Sequence, residues 1–283
     1  MLQHTLAQAF TFGGVTLHRG LEVHVRVAPA PAGTGRVFVR TDLTDRPTVP
    51  ARAEAGRPTA LSTGLVVGEA GVQTPEHLLA ALYALGVDNC LIEIDGPEVP
   101  ILDGSARPFV ELLRSVGLVE QPAERPCLTI ATPIAVYEGD SVVAAFPSSE
   151  PGLRLSYAVA FDHPEIGQQW LSVLLDADTF AHEIAPARTF TLLAQVEALR
   201  ARGLIRGGSL ECALVLGPEG WLAPPTWSDE PVRHKLLDLV GDLSLTGLAL
   251  QGHIVAYRAG HTLHGRLAQA LVSAFVSHTD NLP

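Results

Sequence analysis

The stretch Arg233-His-Lys-Leu-Leu-Asp-Leu-Val-Gly-Asp242 combines an apolar repeat with ionisable side chains at helical spacing. Its leucines and valine recur every three or four residues, which predicts an amphipathic helix with one buried face. On that helix His234, Asp238 and Asp242 lie one turn apart on a common face. An imidazole and a carboxylate four residues apart can bind one metal ion, although this pattern alone more often marks a solvated surface. Whether this face is a metal site or a solvated surface therefore depends on which other parts of the chain lie against it.

The composition is that of a well-packed globular protein. The chain has 283 residues, 47% hydrophobic and 17% charged, enough for one large domain or two ordinary ones. A formal charge of −11 argues against nucleic acid or an anionic membrane as the main partner. It also means that a phosphate-bearing ligand needs a local cluster of basic groups. No apolar run is long enough to predict integral membrane insertion.

The N-terminus and the cysteines predict a cytoplasmic protein. Met1 to Phe12 lack the basic and apolar regions of a secretory signal. The three cysteines, Cys90, Cys127 and Cys212, are far apart and odd in number. Such usage is typical of a reducing compartment and predicts neither a disulfide framework nor a cysteine-based zinc site.

The first half of the chain mixes strand and helix patterns. Residues 20–40 alternate apolar and polar side chains around Pro29-Ala-Pro-Ala-Gly33, which predicts an antiparallel hairpin with one buried face. Thr74-Pro75 provides a helix cap and a first helical residue, so Glu76-His77 are predicted in the first turn of a helix. Cys90-Leu-Ile-Glu-Ile94 reads as a further strand.

A change in composition predicts two domains. Gln121-Pro-Ala-Glu-Arg-Pro126 resembles a linker, and we predict a domain boundary there. Residues 1–121 would form an N-terminal α+β domain, and residues 127–283 a C-terminal one. Each half offers several strands and two helices, which predicts the same layered plan twice, although no residue-level repeat is visible.

Glu76-His77 supply a candidate base and a candidate metal ligand. Neutral imidazole is the commonest nitrogen donor to zinc, although Glu76 by itself would more often simply complement the helix dipole. With His234 and Asp238, His77 makes a set of two histidines and one aspartate. A tetrahedral ion then keeps its fourth position for water, as catalytic zinc does. The same donors suit ferrous iron, so donor type leaves Zn and Fe(II) open.

Two further segments carry candidate catalytic groups. His261 opens the last predicted helix, where a protonated imidazole can act as a general acid. Because the helix dipole opposes that protonation, a carboxylate partner such as Asp242 is needed. The hydroxyl of Thr189, in Ala187-Arg-Thr-Phe190, could donate to an oxyanion that develops near a metal. The sequence contains no G-x-S-x-G elbow, P-loop or dinucleotide-binding glycine motif.

These motifs, in this order, resemble the metal-dependent UDP-3-O-acyl-N-acetylglucosamine deacetylases of lipid A biosynthesis over almost the whole chain. The matching segments are Gln3–Leu6, Leu17–Gly20, Thr41–Leu43, Pro75–Leu82, Asp88-Asn89, Gly96–Ala106, Ala187–Phe190, Gly207–Leu210, Arg233–Asp238, Gly241-Asp242 and Ala259–His261. Each segment alone is weak evidence, whereas the ordered set is specific.

The resemblance implies zinc-dependent hydrolysis of the acetamide of a UDP-linked, 3-O-acylated N-acetylglucosamine, with release of acetate. The implied zinc ligands are His77, His234 and Asp238. Glu76 would be the general base that activates the attacking water. His261 would be the cationic group that stabilises the oxyanion and protonates the leaving amine.

The resemblance also implies supporting residues. Asp242 would orient His261, Lys235 would add positive charge near the site, and Thr189 would donate to the oxyanion. The residues implied to contact the substrate are Phe190, Leu192 and Lys235.

The fold implied by the resemblance is a pair of similar α+β domains whose helices are sandwiched between two sheets. The site would lie between the domains. A βαβ insert, here Thr189 to Leu216, would form an apolar passage for the acyl chain. The implied protein is a monomer whose partner is its small-molecule substrate.

Departures from the family pattern lie near the expected substrate. Phe190 is followed by Thr191-Leu192 where a second aromatic is usual, Pro225-Thr-Trp227 replaces Leu-Arg-Phe, and His264 replaces Asn. They leave open a deacetylase of a different acetylated amino sugar. The alternative from another class is a catalytically silent, metal-stabilised binding protein on the same scaffold, which would need neither Glu76 nor His261.

Overall fold

The structure, a computed structural model, describes residues 1–59 and 61–279, with side chains described up to Val276. Its strands are β1 (Leu2–Leu6), β2 (Phe10–Val15), β3 (Glu22–Pro29), β4 (Arg36–Arg40), β5 (Thr48–Pro50), β6 (Gly64–Val67), β7 (Ala70–Gln73), β8 (Cys90–Ile94), β9 (Leu118–Glu124), β10 (Cys127–Thr129), β11 (Ile134–Glu138), β12 (Ser141–Phe146), β13 (Leu153–Ala160), β14 (Gln168–Leu175), β15 (Phe190–Leu192), β16 (Leu214–Gly217), β17 (Gly220–Trp221) and β18 (Ala249–Tyr257). Its helices are α1 (Glu76–Ala84), α2 (Arg107–Val116), α3 (Ala177–Thr179), α4 (Leu193–Ala201), α5 (Glu230–Leu243) and α6 (His261–Thr279). The predicted α+β class is confirmed.

The hairpin predicted over residues 20–40 is wrong. β3 and β4 are strands with one buried face, but β8 lies between them, antiparallel to β3 and parallel to β4. Asn89, which precedes β8, accepts a hydrogen bond from Gly35 N at 2.8 Å and so holds the start of β8 against the connection. Alternation reports which face of a strand is buried and carries no information about its neighbour, so a distant apolar strand can take the central position.

The linker predicted at Gln121–Pro126 is wrong for its first four residues, which belong to β9. β9 pairs antiparallel with β1, so this stretch is held by backbone hydrogen bonds that its linker-like composition does not reveal. The second large sheet follows, in the order β11-β12-β18-β13-β14, with β10 also pairing β18. The division into residues 1–121 and 127–283 stays a prediction.

Helices α1, α2, α5 and α6 lie between the two large sheets, whereas α4 packs on β15 and β16. α2 packs on β2 and on α1, α1 packs on α5, and α5 packs on β13 and β14. Twelve of the fourteen residues of α5 are buried, so this helix is covered on nearly all sides and is not the half-exposed helix that its apolar repeat predicts. In the described part of the chain, no helix combines the length and apolar character needed to cross a bilayer.

Gly241 sets how closely α1 and α5 approach. A Cβ at this position would lie 2.2 Å from the carbonyl oxygen of Glu76 and 3.0 Å from its Cα. Backbone atoms of a buried helix cannot move aside cheaply, so only glycine permits the contact. The first turn of α1, with Glu76-His77, is thereby placed directly against the last two turns of α5.

Replacing Gly241 with Ala is therefore expected to lower the free energy of unfolding by about 2 kcal/mol or more, since overpacking a core typically costs about 1–3 kcal/mol. Denaturant unfolding would measure the change. Gly260→Ala is the matched control, because a Cβ there meets no atom within 4 Å. Equal stability of the two variants would contradict the tight contact between α1 and α5.

Candidate metal centre and catalytic site

Glu76 and His77 occupy the first turn of α1 as predicted, but Thr74 does not cap the helix. Pro75 is the N-cap residue, and no side chain caps this end. Thr74 has a φ of 55°, and its hydroxyl donates to Glu98 Oε1 at 3.3 Å. The other contacts of the Glu98 carboxylate are with the backbone N–H groups of His18 and Arg19. Glu98 thus ties the residue before the helix to a neighbouring loop, which explains why Thr74 turns away from α1.

His77, His234 and Asp238 form a buried group that could hold a metal ion. Nε2 of His77 lies 3.6 Å, and Nε2 of His234 lies 3.5 Å, from Asp238 Oδ1. Zinc–nitrogen and zinc–oxygen bonds of about 2.1 Å in a tetrahedral arrangement put two ligand atoms about 3.4 Å apart. The separations are therefore too long for good hydrogen bonds and suit atoms that share one ion.

The histidine nitrogens also suit metal binding. Nδ1 of His234 donates to the carbonyl oxygen of Ala187 at 3.0 Å, which leaves the lone pair on Nε2. Burial lowers the pKa of His234 to about 3, so its imidazole is neutral at pH 7. Both histidines are buried and present Nε2 to the same carboxylate oxygen. The donor set therefore fits a divalent ion such as zinc.

Asp238 offers one oxygen to this centre and uses the other elsewhere. Lys235 Nζ donates to Asp238 Oδ2 at 2.7 Å, which leaves Oδ1 for the histidine pair. Burial by itself would raise the pKa of Asp238, but Lys235 and the neighbouring histidines together outweigh it and hold the pKa well below its usual range. Asp238 is therefore a carboxylate, and Lys235 orients it.

Glu76 is a buried carboxyl group beside the centre. Only 3% of the residue is exposed, and its Oε2 accepts a hydrogen bond from the backbone N–H of Thr63 at 3.2 Å. Burial raises the pKa of Glu76 to about 7, which the neighbouring imidazoles partly offset. A carboxyl group with a pKa near neutrality exchanges a proton readily at physiological pH.

His261 faces the centre from the start of α6. Its Nε2 lies 3.8 Å from Asp238 Oδ2, and its Nδ1 donates to Asp242 Oδ2 at 2.8 Å. Burial opposes a charge on His261, but Asp242 and Asp238 outweigh it and raise the pKa to about 9. The imidazole is therefore protonated at neutral pH, with Asp242 as the carboxylate partner that the helix position requires.

A second group of buried ligand-type residues, Asp242, His261 and His264, is a hydrogen-bonded network. His264 Nδ1 donates to Asp242 Oδ2 at 2.9 Å, the same oxygen that accepts from His261. These distances are those of hydrogen bonds and leave no room for an ion between the atoms. On its other side, His264 Nε2 lies 3.1 Å from the hydroxyl of Tyr157. The network fixes Asp242 beneath His261.

Sequence reasoning assigned no role to Thr63 or His264. The Thr63 hydroxyl donates to Asp242 Oδ1, and its backbone N–H donates to Glu76, so this one residue joins the two halves of the site. Thr63 has no ionisable group and no motif around it, so no signal could have singled it out. His264 was visible as a departure from the family pattern, but its bond to Asp242 depends on the folded position of α6.

The residues predicted to contact substrate separate onto two cavities. Thr189 and Phe190 line an apolar cavity of about 310 Å³, together with residues of α4. Leu192 and Lys235 line a second cavity of about 390 Å³, which also contains Phe161 and Arg258. Phe190 lies beside the centre, with its ring 6.3 Å from that of His234. Leu192 therefore does not share a cavity with Leu193, Val196 and Leu199, the apolar residues of α4 that line the first cavity.

The apolar cavity lies beside a βαβ unit. β15 and β16 pair in parallel, with Phe190 opposite Leu214, and α4 connects them. The start of the unit is fastened by Glu230, a fully buried carboxylate that accepts hydrogen bonds from both N and Nε of Arg188 at 3.0 Å. Because Glu230 begins α5, this ion pair connects the wall of the cavity to the helix that carries the candidate ligands His234 and Asp238.

Comparisons with known proteins show which family the chain belongs to. Residues 3–273 match the family described as LpxC, UDP-3-O-acyl N-acetylglycosamine deacetylase. A UDP-3-O-acyl-N-acetylglucosamine deacetylase from Nostoc sp. is 53% identical over 279 residues, which cover 96% of this chain and 99% of that protein. Proteins of the same name from Thermosynechococcus vestitus and Geobacter sp. are 52% and 42% identical, covering 95% and 96% of this chain and 93% and 89% of their own lengths. The chain belongs to the LpxC family of UDP-3-O-acyl N-acetylglycosamine deacetylases.

Proposed function

We propose that this protein hydrolyses the acetamide of a UDP-3-O-acyl-N-acetylglucosamine and releases acetate, as a zinc-dependent step of lipid A biosynthesis in the cytoplasm. The observation that carries the proposal is the meeting of Glu76 and His261 at one buried group of two histidines and one aspartate. A carboxylate near pKa 7 and a cationic imidazole are the two proton-transfer groups that amide hydrolysis needs.

Each catalytic group has a distinct task in the proposed reaction. A bound zinc ion supplies Lewis acidity, which acidifies a water molecule and polarises a carbonyl. Glu76 takes a proton from the water that adds to the acetyl carbon. His261 donates hydrogen bonds to the developing oxyanion and then gives its Nε2 proton to the sugar nitrogen as the C–N bond breaks. The amine and acetate leave, and the network around Asp242 holds His261 in place throughout.

The ligand set is proposed to be His77, His234 and Asp238. Ferrous iron has the same donor preferences as zinc. Metal analysis of the purified protein would distinguish the two ions. Lys235 holds Asp238 and contributes positive charge, and Thr189 is proposed to donate to the oxyanion.

The two cavities suit the two ends of the substrate. The apolar cavity beside α4 is proposed to take the acyl chain, since leucine and valine side chains line it. The cavity with Lys235 and Arg258 is proposed to take the nucleotide, because Arg258 offers a cation for the diphosphate and Phe161 offers a ring for the base.

The proposed function is tested by measuring acetate release from the acylated UDP-sugar while metal is quantified in the same preparation. Turnover that follows metal content supports the proposal. Turnover only with another acetylated amino sugar would assign the chemistry to a different substrate. Stoichiometric metal without turnover of either would favour the silent binding protein.

We expect a bell-shaped dependence of kcat/KM on pH. Glu76 must be deprotonated, so the rate rises as pH increases through its pKa, and His261 must be protonated, so the rate falls as pH increases through its pKa. Without metal these pKa values are about 7 and about 9, and a bound cation lowers both. The two limbs are thus expected at or below these values.

Asp242→Asn provides the control for the alkaline limb. Removing the negative charge that stabilises protonated His261 lowers its pKa, so the alkaline limb moves to lower pH while the acid limb changes less. An alkaline limb that stays in place, or a monotonic profile in the parent enzyme, would contradict the assignment of His261 as the acid.

A further inference from the structure

Two cavities that open next to each other share His18 and Leu61. One is the apolar cavity beside α4, and the other is a cavity of about 650 Å³ lined in part by Arg19, Arg202 and Arg206. The loop Leu204–Gly208 joins them, since Arg206 N donates to His18 O at 3.2 Å and Gly207 N donates to Leu17 O at 3.1 Å. The rim of both cavities is therefore one continuous surface.

This rim is cationic on a protein whose formal charge is −11. The residues that line the two cavities include four arginines, Arg19, Arg200, Arg202 and Arg206, and no carboxylate. All four are exposed, and among the described residues none of them forms an ion pair. Charges on distant faces are screened beyond about 8 Å at physiological ionic strength, so a partner at this rim meets the arginines and not the net charge.

Large apolar side chains are exposed among these arginines. Leu61 is 41% exposed, Leu210 is 51% exposed and Leu222 is 52% exposed. The adjacent helix α4 contains no buried residue, and its first residue, Leu193, is 39% exposed. Leu193 and Leu222 meet beside Gly217, where a Cβ would lie within 4 Å of both side chains. Exposed leucines interspersed with arginines are the composition of a surface that lies in the interface of a bilayer.

We propose that this rim, formed by Arg19, Arg200, Arg202, Arg206 and the leucines Leu61, Leu193, Leu210 and Leu222, docks on a membrane containing anionic lipids. The arginines contact lipid phosphates, and the leucines enter the acyl boundary. Charge complementarity favours anionic lipid, since no carboxylate accompanies the four arginines in the lining of the two cavities. The contact is peripheral and does not depend on the reaction proposed above.

The test is co-sedimentation of the full-length protein with vesicles of phosphatidylcholine alone or of phosphatidylcholine with phosphatidylglycerol. We expect binding to the anionic vesicles only, weakened by added salt. The double variant Arg202→Glu/Arg206→Glu is expected to weaken binding to anionic vesicles by about tenfold or more, since each arginine adds attraction to an anionic surface and each glutamate adds repulsion. Arg26→Glu/Arg46→Glu, which makes the same change of charge at another exposed site, is the matched control and is expected to bind like the parent.

Leu210→Asp supplies a second variant, which should weaken vesicle binding without altering the arginines. Melting temperatures of all variants confirm that they are folded. Equal binding of both double variants, or equal binding to both vesicle types, would overturn the proposal. Displacement of the protein from vesicles by millimolar pyrophosphate at constant ionic strength would also overturn it, because it would identify a site for soluble phosphates. Self-association that the rim variants abolish would overturn it as well, because a second copy of the chain would then be the occupant.

Discussion

Replacing Glu76 with Gln is expected to lower kcat by about 10²–10⁴-fold, the usual contribution of a general base, while the protein keeps its metal. Gln has nearly the same shape and retains an oxygen that can accept the hydrogen bond from Thr63 N. Because Glu76 is almost fully buried, the uncharged amide also removes a desolvation penalty, so the fold is expected to tolerate it. The loss should therefore be confined to proton transfer.

This expectation is checked by measuring kcat, KM and bound metal on the same Glu76→Gln preparation. A large fall in kcat with KM and metal nearly unchanged supports the role of the base. Turnover at the parent rate would rule out Glu76 as the base. Loss of metal equal to the loss of activity would instead place the carboxylate among the ligands.

Replacing His77 with Ala is expected to remove the metal and, with it, the activity. His77 Nε2 is one of three atoms that converge on the centre, and its loss leaves His234 and Asp238 without a third donor. Loss of a hydrogen bond that merely supports a ligand lowers metal affinity by about 10–100-fold, so loss of the ligand itself should cost more. Metal per chain after dialysis against a weak chelator measures the effect.

His261→Ala is the matched control for the His77 variant. Both substitutions remove a buried imidazole beside Asp238, but only His77 has Nε2 at the three-atom group with His234. We expect His261→Ala to keep its metal and lose turnover, with little recovery on adding zinc, whereas His77→Ala should regain some activity in excess zinc. Equal metal loss in the two variants would show that the division between ligand and acid is wrong.

Local patterns were sufficient for the helices that carry the site. The apolar repeat in Arg233–Asp242 predicts α5, and Thr74-Pro75 predicts that α1 begins beside Glu76 and His77. Both helices form at the predicted places because helix signals act within a few residues, although Pro75 takes the N-cap position that was predicted for Thr74. The resemblance then named the residues that the structure brings together, including the bond between Asp242 and His261.

Local sequence patterns did not predict the pairing between strands that are distant in the chain. The insertion of β8 between β3 and β4, and the pairing of Gln121–Glu124 with β1, depend on backbone hydrogen bonds that any residue except proline can donate. The role of Thr63 was not predicted for a related reason. Its hydroxyl and backbone N–H acquire a function only because the fold brings Asp242 and Glu76 within hydrogen-bonding distance.

The sequence by itself determined the family, through the ordered set of its motifs, and the fold class and central helices, through residue type and local spacing. Its resemblance to that family named the candidate acid, base and ligand residues. Only the tertiary structure decided how those groups divide. The 3.5–3.6 Å separations around Asp238 distinguish the candidate ligands from the residues joined by 2.8–2.9 Å hydrogen bonds around Asp242, and both sets contain only histidine and aspartate. The tertiary structure also placed four arginines on one rim of an acidic protein. Net charge is a sum over the whole chain, so it does not show where on the surface the positive charges lie.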